Sequence, residues 1–294
     1  MRFCWLNILS KLPLCVHHFI ADYLIYPLIY YIARYRRRLV DKNMRNAFPE
    51  WTDIQRNALR KRFYHQFADV VVETVWGYGA NDAEMREHLT FENSEAFNAA
   101  IREHKGAIAM LAHLGTWEWM ADYGRRVEPE GMYELNVYRR LRSTYFDQLM
   151  LEIRSKRGGG CVEKDVLLRH MVQMRSEERL PIYGMLCDQK PSPRNAHVWT
   201  TFLNQETAIL NGAEVLSKKF GYPCFYAHIS CSKRGYYTVT FVAMHSETIT
   251  EEYARLLEQN ILEQPHLWLW THNRWKHQRT QQTESAVIPS VNPG

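Results

Sequence analysis

A chain of 294 residues with 46% hydrophobic and 23% charged side chains can bury a sizeable core, which excludes a disordered protein. The formal net charge of +5 is modest and comes with no nucleic-acid-binding motif, so nucleic acid is set aside as a partner. Such a charge suits an anionic lipid surface or an acidic protein. The six cysteines (Cys4, Cys15, Cys161, Cys187, Cys224 and Cys231) include no Cys-x-x-Cys pair, and their spacing implies neither a disulfide framework nor a zinc site.

Residues 1–38 read as a membrane anchor with a basic flank. Leu12–Ala33 is largely apolar, and Arg34, Arg36, Arg37 and Arg38 follow it. As one helix it would reach about 33 Å at roughly 1.5 Å per residue, against a hydrocarbon core of about 30 Å. His17, His18 and Asp22 lie inside it, and one mid-membrane Asp costs about 2.5–3.5 kcal/mol. Pro27 predicts a kink. The run is too long for a signal peptide and no cleavage site follows it. A retained anchor is expected, either a tilted span or a helix lying in the interface, with a buried amphipathic core helix as the alternative. The arginines place the rest of the chain on the cytoplasmic side. The content of nine Trp and seventeen Tyr fits an interfacial protein or an aromatic-rich core equally well.

Residues 39–276 read as one domain. Helical spacing covers Ile54–Trp76, with Asp53 near its start, and a second helix is predicted over Asn93–His104. Ala107–Ala112 is an unbroken apolar run, the pattern of a strand buried on both faces. Similar runs recur at Tyr133–Tyr138, Pro181–Cys187, Cys224–Ile229 and Tyr236–Ala243. Helices are predicted between them at Trp117–Arg126, Tyr145–Arg157, Val166–Ser176, Ala208–Phe220 and Glu251–Glu263. The alternation predicts an α/β fold, a mostly parallel central sheet flanked by helices. Arg157–Gly160 lacks the ending of a phosphate loop and reads as a flexible turn. Residues 277–294 read as a flexible polar tail.

The strand Ala107–Ala112 runs straight into His113-Leu-Gly-Thr-Trp-Glu118. Five residues apart on one helix, two side chains point about 140° apart. They can meet if His113 ends the strand, Gly115 makes the turn and Glu118 lies in the first helical turn. Glu118 would then fix the imidazole tautomer, leaving the other nitrogen to take a proton from a hydroxyl. The carboxyl ends of strands are also where ligands bind in open α/β sheets. No cluster has metal-ligand spacing, and neither metal nor cofactor is expected. His17, His18, His266 and His272 read as interfacial or core side chains. Trp268, Trp270 and Trp275 either line a slot or pack.

Several blocks resemble one family. They are RRRLVDKNMRNAFPEW at Arg36–Trp51, AHLGTWEW at Ala112–Trp119, Tyr138-Arg139, Phe146-Asp147, Arg154, Lys164-Asp165, Asp188-Gln189 and LWLWTHNRWK at Leu267–Lys276. In that order, from about Leu12 to Lys276, the chain resembles the bacterial lipid A biosynthesis late acyltransferases of the wider lysophospholipid acyltransferase superfamily. The resemblance implies a glycerolipid-acyltransferase-like fold. It also implies transfer of a fatty acyl group from acyl-acyl carrier protein to a hydroxyl of a lipid A precursor at the inner membrane. His113 would be the base, Glu118 its partner, Arg154 an oxyanion or phosphate ligand, and Asp188 an acidic site residue. Tyr138, Arg139, Lys164 and Gln189 would bind substrate. Thr116 stands where many members carry Asn, and Leu203-Asn204 also departs from the pattern. The acceptor therefore stays open, with an aminoacyl lipid or a lysophospholipid as alternatives, and a non-catalytic lipid-binding protein as the reading from another class.

Overall fold

A central run of short apolar strands dictates the architecture of the computed structural model, which describes residues 3–127, 132–277 and 279. The strands are β1 (Leu89–Glu92), β2 (Ala107–Leu111), β3 (Met132–Tyr138), β4 (Gly160–Glu163), β5 (Leu180–Leu186), β6 (Val198–Phe202), β7 (Gln205–Ile209), β8 (Cys224–Lys233) and β9 (Tyr236–Ala243). Seven of them form one sheet in the order β1-β9-β8-β2-β5-β3-β4. Only the β8–β9 pair is antiparallel; the other neighbours are parallel. Every residue of β2 is buried, as expected for a central parallel strand covered on both faces. β6 and β7 form a separate hairpin.

The long helix Asp53–Gly79 begins at a capping box: the Thr52 side chain accepts from the Gln55 backbone N–H, and the Gln55 side chain accepts from the Thr52 N–H. Its cap is Thr52, one residue before the Asp53 of the sequence reading. Leu59, Phe63, Tyr64, Val72 and Trp76 bury its inner side. The N-terminal segment packs along it. Leu14–Ile20 is α-helical and is followed by π turns at Ala21–Ile25 and Leu28–Ile32. The widened turns flank Pro27, whose missing N–H interrupts the i→i−4 ladder, so the expected kink takes the form of π bulges. His17, Ala21, Tyr26 and Tyr30 face inward, whereas Phe19, Tyr23, Leu24 and Ile32 stand more than half exposed. Among the described residues, no helix is long and apolar enough to cross a membrane.

Five strands and five helices lie where the sequence predicts them, within about two residues at most boundaries and longer at the far end of β8. Three differences stand out. Trp117–Arg125 forms 3-10 turns rather than an α-helix, with Glu118 through Tyr123 all buried. The predicted helix Ala208–Phe220 divides: Ala208 and Ile209 end β7, and the helix begins at Gly212. Leu203 and Asn204, both at positive φ (49° and 60°), form the two-residue turn that folds β7 back on β6. Leu203 tolerates that backbone because it is buried and its N–H donates to Glu258 at 2.6 Å. Finally, Gly160 opens the edge strand β4, so the glycine stretch is only in part a turn. Nearly all of the predicted tail, 277–294, lies outside the described residues.

Candidate active site

Parallel neighbours put their carboxyl ends side by side. β2 and β5 pair directly, with Leu111 opposite Leu186, and β3 lies on the far side of β5. His113 follows β2, Asp188 follows β5, and Tyr138 ends β3, so residues far apart in sequence converge at one sheet edge. Gly115, at φ 51°, makes the turn beyond His113. A Cβ there would lie 2.8 Å from the Tyr237 ring, so a larger residue meets both strain and a clash.

The carboxylate that holds the imidazole is Asp188. His113 Nδ1 lies 2.7 Å from Asp188 Oδ1, and the His113 backbone N–H donates to Oδ2 at 3.2 Å. Trp268 Nε1 also donates to Oδ2, at 3.0 Å. These partners assign the proton to Nδ1 and leave Nε2 as an acceptor, to which the Gln189 amide donates at 3.2 Å. Burial acts to raise the Asp188 carboxyl, but the His113 charge and the hydrogen bonds from His113 and Trp268 outweigh it and hold the group below the ordinary carboxylate range.

Glu118 is occupied elsewhere, which corrects its expected role as the imidazole's partner. Arg154 grips it with two parallel bonds, Nε to Oε2 and Nη2 to Oε1, each 2.8 Å, and Trp117 Nε1 donates to Oε1 at 3.1 Å. A bidentate guanidinium is the stronger claimant for a carboxylate with so little exposure. Burial acts to lower Arg154, and the charge and hydrogen bonds of Glu118 more than offset it, leaving the guanidinium raised. With Nε and Nη2 committed, Arg154 first serves to hold Glu118.

His113, Glu118, Arg154, Tyr138, Arg139 and Gln189 all line one cavity of about 490 Å³. Asp188 stands behind His113, 4% exposed. Lys164 is not among the lining residues: its ammonium pairs with Asp165 at 3.3 Å, and its backbone N–H donates to Tyr138. At the end of an edge strand, its side chain turns to solvent. The sequence reading missed two features and gave no role to a third, Asp147 of the Phe146-Asp147 block. Arg140 and Arg142 join Arg139 at the cavity wall. Asp147 accepts from the Leu141 N–H at 2.7 Å and so pins that arginine loop. Glu134, buried beside Asn136, is raised well above its ordinary value by burial. The run of three arginines was visible as charge, but nothing in it told which would face a cavity.

The LWLW run is structural. Leu114 bridges to Trp268, the Gly115 N–H donates to Leu267, and the Leu269 N–H donates to His113, so this strand-like strap fixes the turn. Trp268 and Trp270 are buried and Trp275 donates to Thr207, which decides for packing over a slot. His266 and His272 beside them are lowered by burial to about 4 from 6.5. Both are neutral when folded, whereas the unfolded chain takes up protons as pH falls below 6.5. Their contribution to stability is therefore present above 6.5 and lost as pH falls toward 4. Asp69, raised by burial to about 6, works in the opposite direction over part of that window. The melting temperature of His272→Gln should accordingly fall less steeply between pH 6.5 and 4 than that of the wild type; parallel curves would refute the assignment.

No curated protein matches the chain. The family model described as bacterial lipid A biosynthesis acyltransferase matches residues 3–277, nearly the whole chain. On that match, with an imidazole and a carboxylate converging at the carboxyl edge of a parallel sheet, the chain belongs to the bacterial lipid A biosynthesis acyltransferase family.

Proposed function

We propose that this acyltransferase moves a fatty acyl group from the thioester of acyl-acyl carrier protein to a hydroxyl of a lipid A precursor, with His113 as general base. The observation that carries the reading is the 2.7 Å contact between His113 Nδ1 and Asp188, which leaves Nε2 without a proton and facing the Gln189 amide. The acceptor hydroxyl takes the place of the Gln189 amide at Nε2. As its oxygen attacks the thioester carbonyl, its proton passes to Nε2, and Asp188 stabilises the imidazolium that forms. The Gln189 amide, released from the ring, donates to the oxyanion of the tetrahedral intermediate. Collapse then breaks the carbon–sulfur bond, and the departing thiolate takes the proton from His113. Tyr138 and the Arg154–Glu118 pair form the wall against which the substrates are held.

Two surfaces support the proposed partners and location. Arg139, Arg140 and Arg142 at the cavity wall suit an acidic carrier protein or a lipid phosphate. The exposed apolar side of the N-terminal segment, with Phe19, Tyr23, Leu24 and Ile32, leads into Arg34 and Arg36–Arg38. This pattern suits a helix lying in the inner membrane's cytoplasmic interface, where each arginine adds about 1 kcal/mol on an anionic surface. An interfacial anchor is favoured over a spanning one by the inward-facing His17 and the polar contacts of His18 and Asp22.

The test is reconstitution: purified protein, acyl-carrier-protein thioester and lipid A precursor in vesicles, with products read by mass spectrometry. Acylated precursor is expected. With Arg139→Glu and Arg142→Glu combined, KM for the donor should rise about tenfold, and less so at high salt. Acylation of a different lipid alone would overturn the acceptor, and an unchanged KM would overturn arginine docking of the donor.

A further inference from the structure

Glu73 is fully buried in the C-terminal third of the helix Asp53–Gly79, yet nothing in the proposed chemistry uses it. Its carboxylate gathers partners from three directions. His18 Nε2, from the N-terminal segment, lies 3.0 Å from Oε1. The Thr116 hydroxyl, from the turn between His113 and Glu118, donates to Oε2. The Tyr237 hydroxyl, from β9, donates to Oε2 at 2.9 Å and accepts from Gln66 at 2.9 Å. The Glu73 backbone carbonyl accepts from Trp119 Nε1 at 2.9 Å. One turn along the helix, Arg234 bridges Asp69 to Asp22 of the same N-terminal segment, Nε to Asp69 at 2.9 Å and Nη1 to Asp22 at 2.7 Å.

A carboxyl group removed from water needs hydrogen-bond partners, so satisfaction of a buried polar group accounts for their number. It does not account for what they join. Glu73 touches the N-terminal segment with one oxygen and the turn that carries His113 and Glu118 with the other. We propose that Glu73 is a positioning residue: through His18 and Thr116 it transmits the seating of the N-terminal segment to the catalytic turn. This deepens the function proposed above and rests on it. The consequence is that turnover depends on residues 14–25 being docked, although none of them lines the cavity.

A double-mutant cycle of His18→Leu and Thr116→Val tests the coupling, since neither change removes the buried carboxylate itself. Each should lower kcat about tenfold with KM for the donor unchanged, and the double variant should lose no more than the worse single. Glu73→Gln, which keeps an acceptor toward Thr116 and Tyr237, should retain far more kcat than Glu73→Leu. The ¹⁵N signals of the His113 ring should also shift in His18→Leu; they need no substrate, so this result is separable from failure of the transfer assay. If Glu73→Leu does not fold, the cycle and the ring signals still decide. Multiplying kcat losses, or His18→Leu protein with wild-type kcat and an unmoved His113 signal, would overturn the proposal.

Discussion

Replacing Asp188 by Asn should lower kcat by about 10²–10⁴-fold while the protein stays folded. The geometry dictates how. Oδ2 receives two donors, Trp268 Nε1 and the His113 backbone N–H, so the Asn oxygen settles there. The amide NH₂ is then turned toward His113 Nδ1, which must become an acceptor. The ring proton moves to Nε2, the nitrogen that faces Gln189 and the cavity, and the base can no longer take a proton. Steady-state transfer with saturating acceptor checks this, alongside circular dichroism to establish the fold. Retention of more than about a tenth of wild-type kcat would mean that Asp188 does not set the tautomer.

The second large effect concerns the Glu118–Arg154 pair, whose side chains are 8% and 15% exposed. Glu118→Leu leaves a guanidinium buried without its bidentate partner, next to Cys161, which burial already pushes up to about 11. Breaking such a pair from one side costs about 3–5 kcal/mol. Arg154→Met strands the Glu118 carboxylate in the same way. Replacing both should therefore recover much of the melting temperature that either single change loses, because no unpaired charge remains. Transfer should be lost in all three variants, since the wall beside His113 has changed shape and charge. Additive stability losses in the double variant would show that the two groups do not act as a pair.

The parts of the fold that were legible in the sequence were those with strong local patterns. β2 and β5 announce themselves because a strand covered on both faces must be apolar throughout. The edge strands β1 and β4, four residues each, are too short for a period to appear, and β4 begins at the last residue of a glycine run. The hairpin β6–β7 was hidden because its turn uses Leu203 where Gly or Asn would have signalled it. At the site, His113, Gly115 and the strand end were readable because they are contiguous. The partner of His113 was not. Glu118 is close in sequence, but β5 brings Asp188 beside β2 from 75 residues away, and Arg154 draws Glu118 off from the opposite side. Local spacing ranks candidates by nearness along the chain, whereas hydrogen-bond partners are chosen by the sheet register. Lys164 shows the converse: its backbone pairs with Tyr138, which lines the site, yet edge position turns its side chain outward.

The proposal that His113 is the base, oriented by Asp188 rather than Glu118, is tested most directly by the ¹⁵N resonances of its neutral ring. A protonated Nδ1 and a bare Nε2, exchanged for the opposite tautomer in Asp188→Asn and unchanged in Glu118→Gln, is the result this geometry requires. A ring protonated at Nε2 in the wild type, or one that responds to Glu118→Gln and ignores Asp188→Asn, would contradict it.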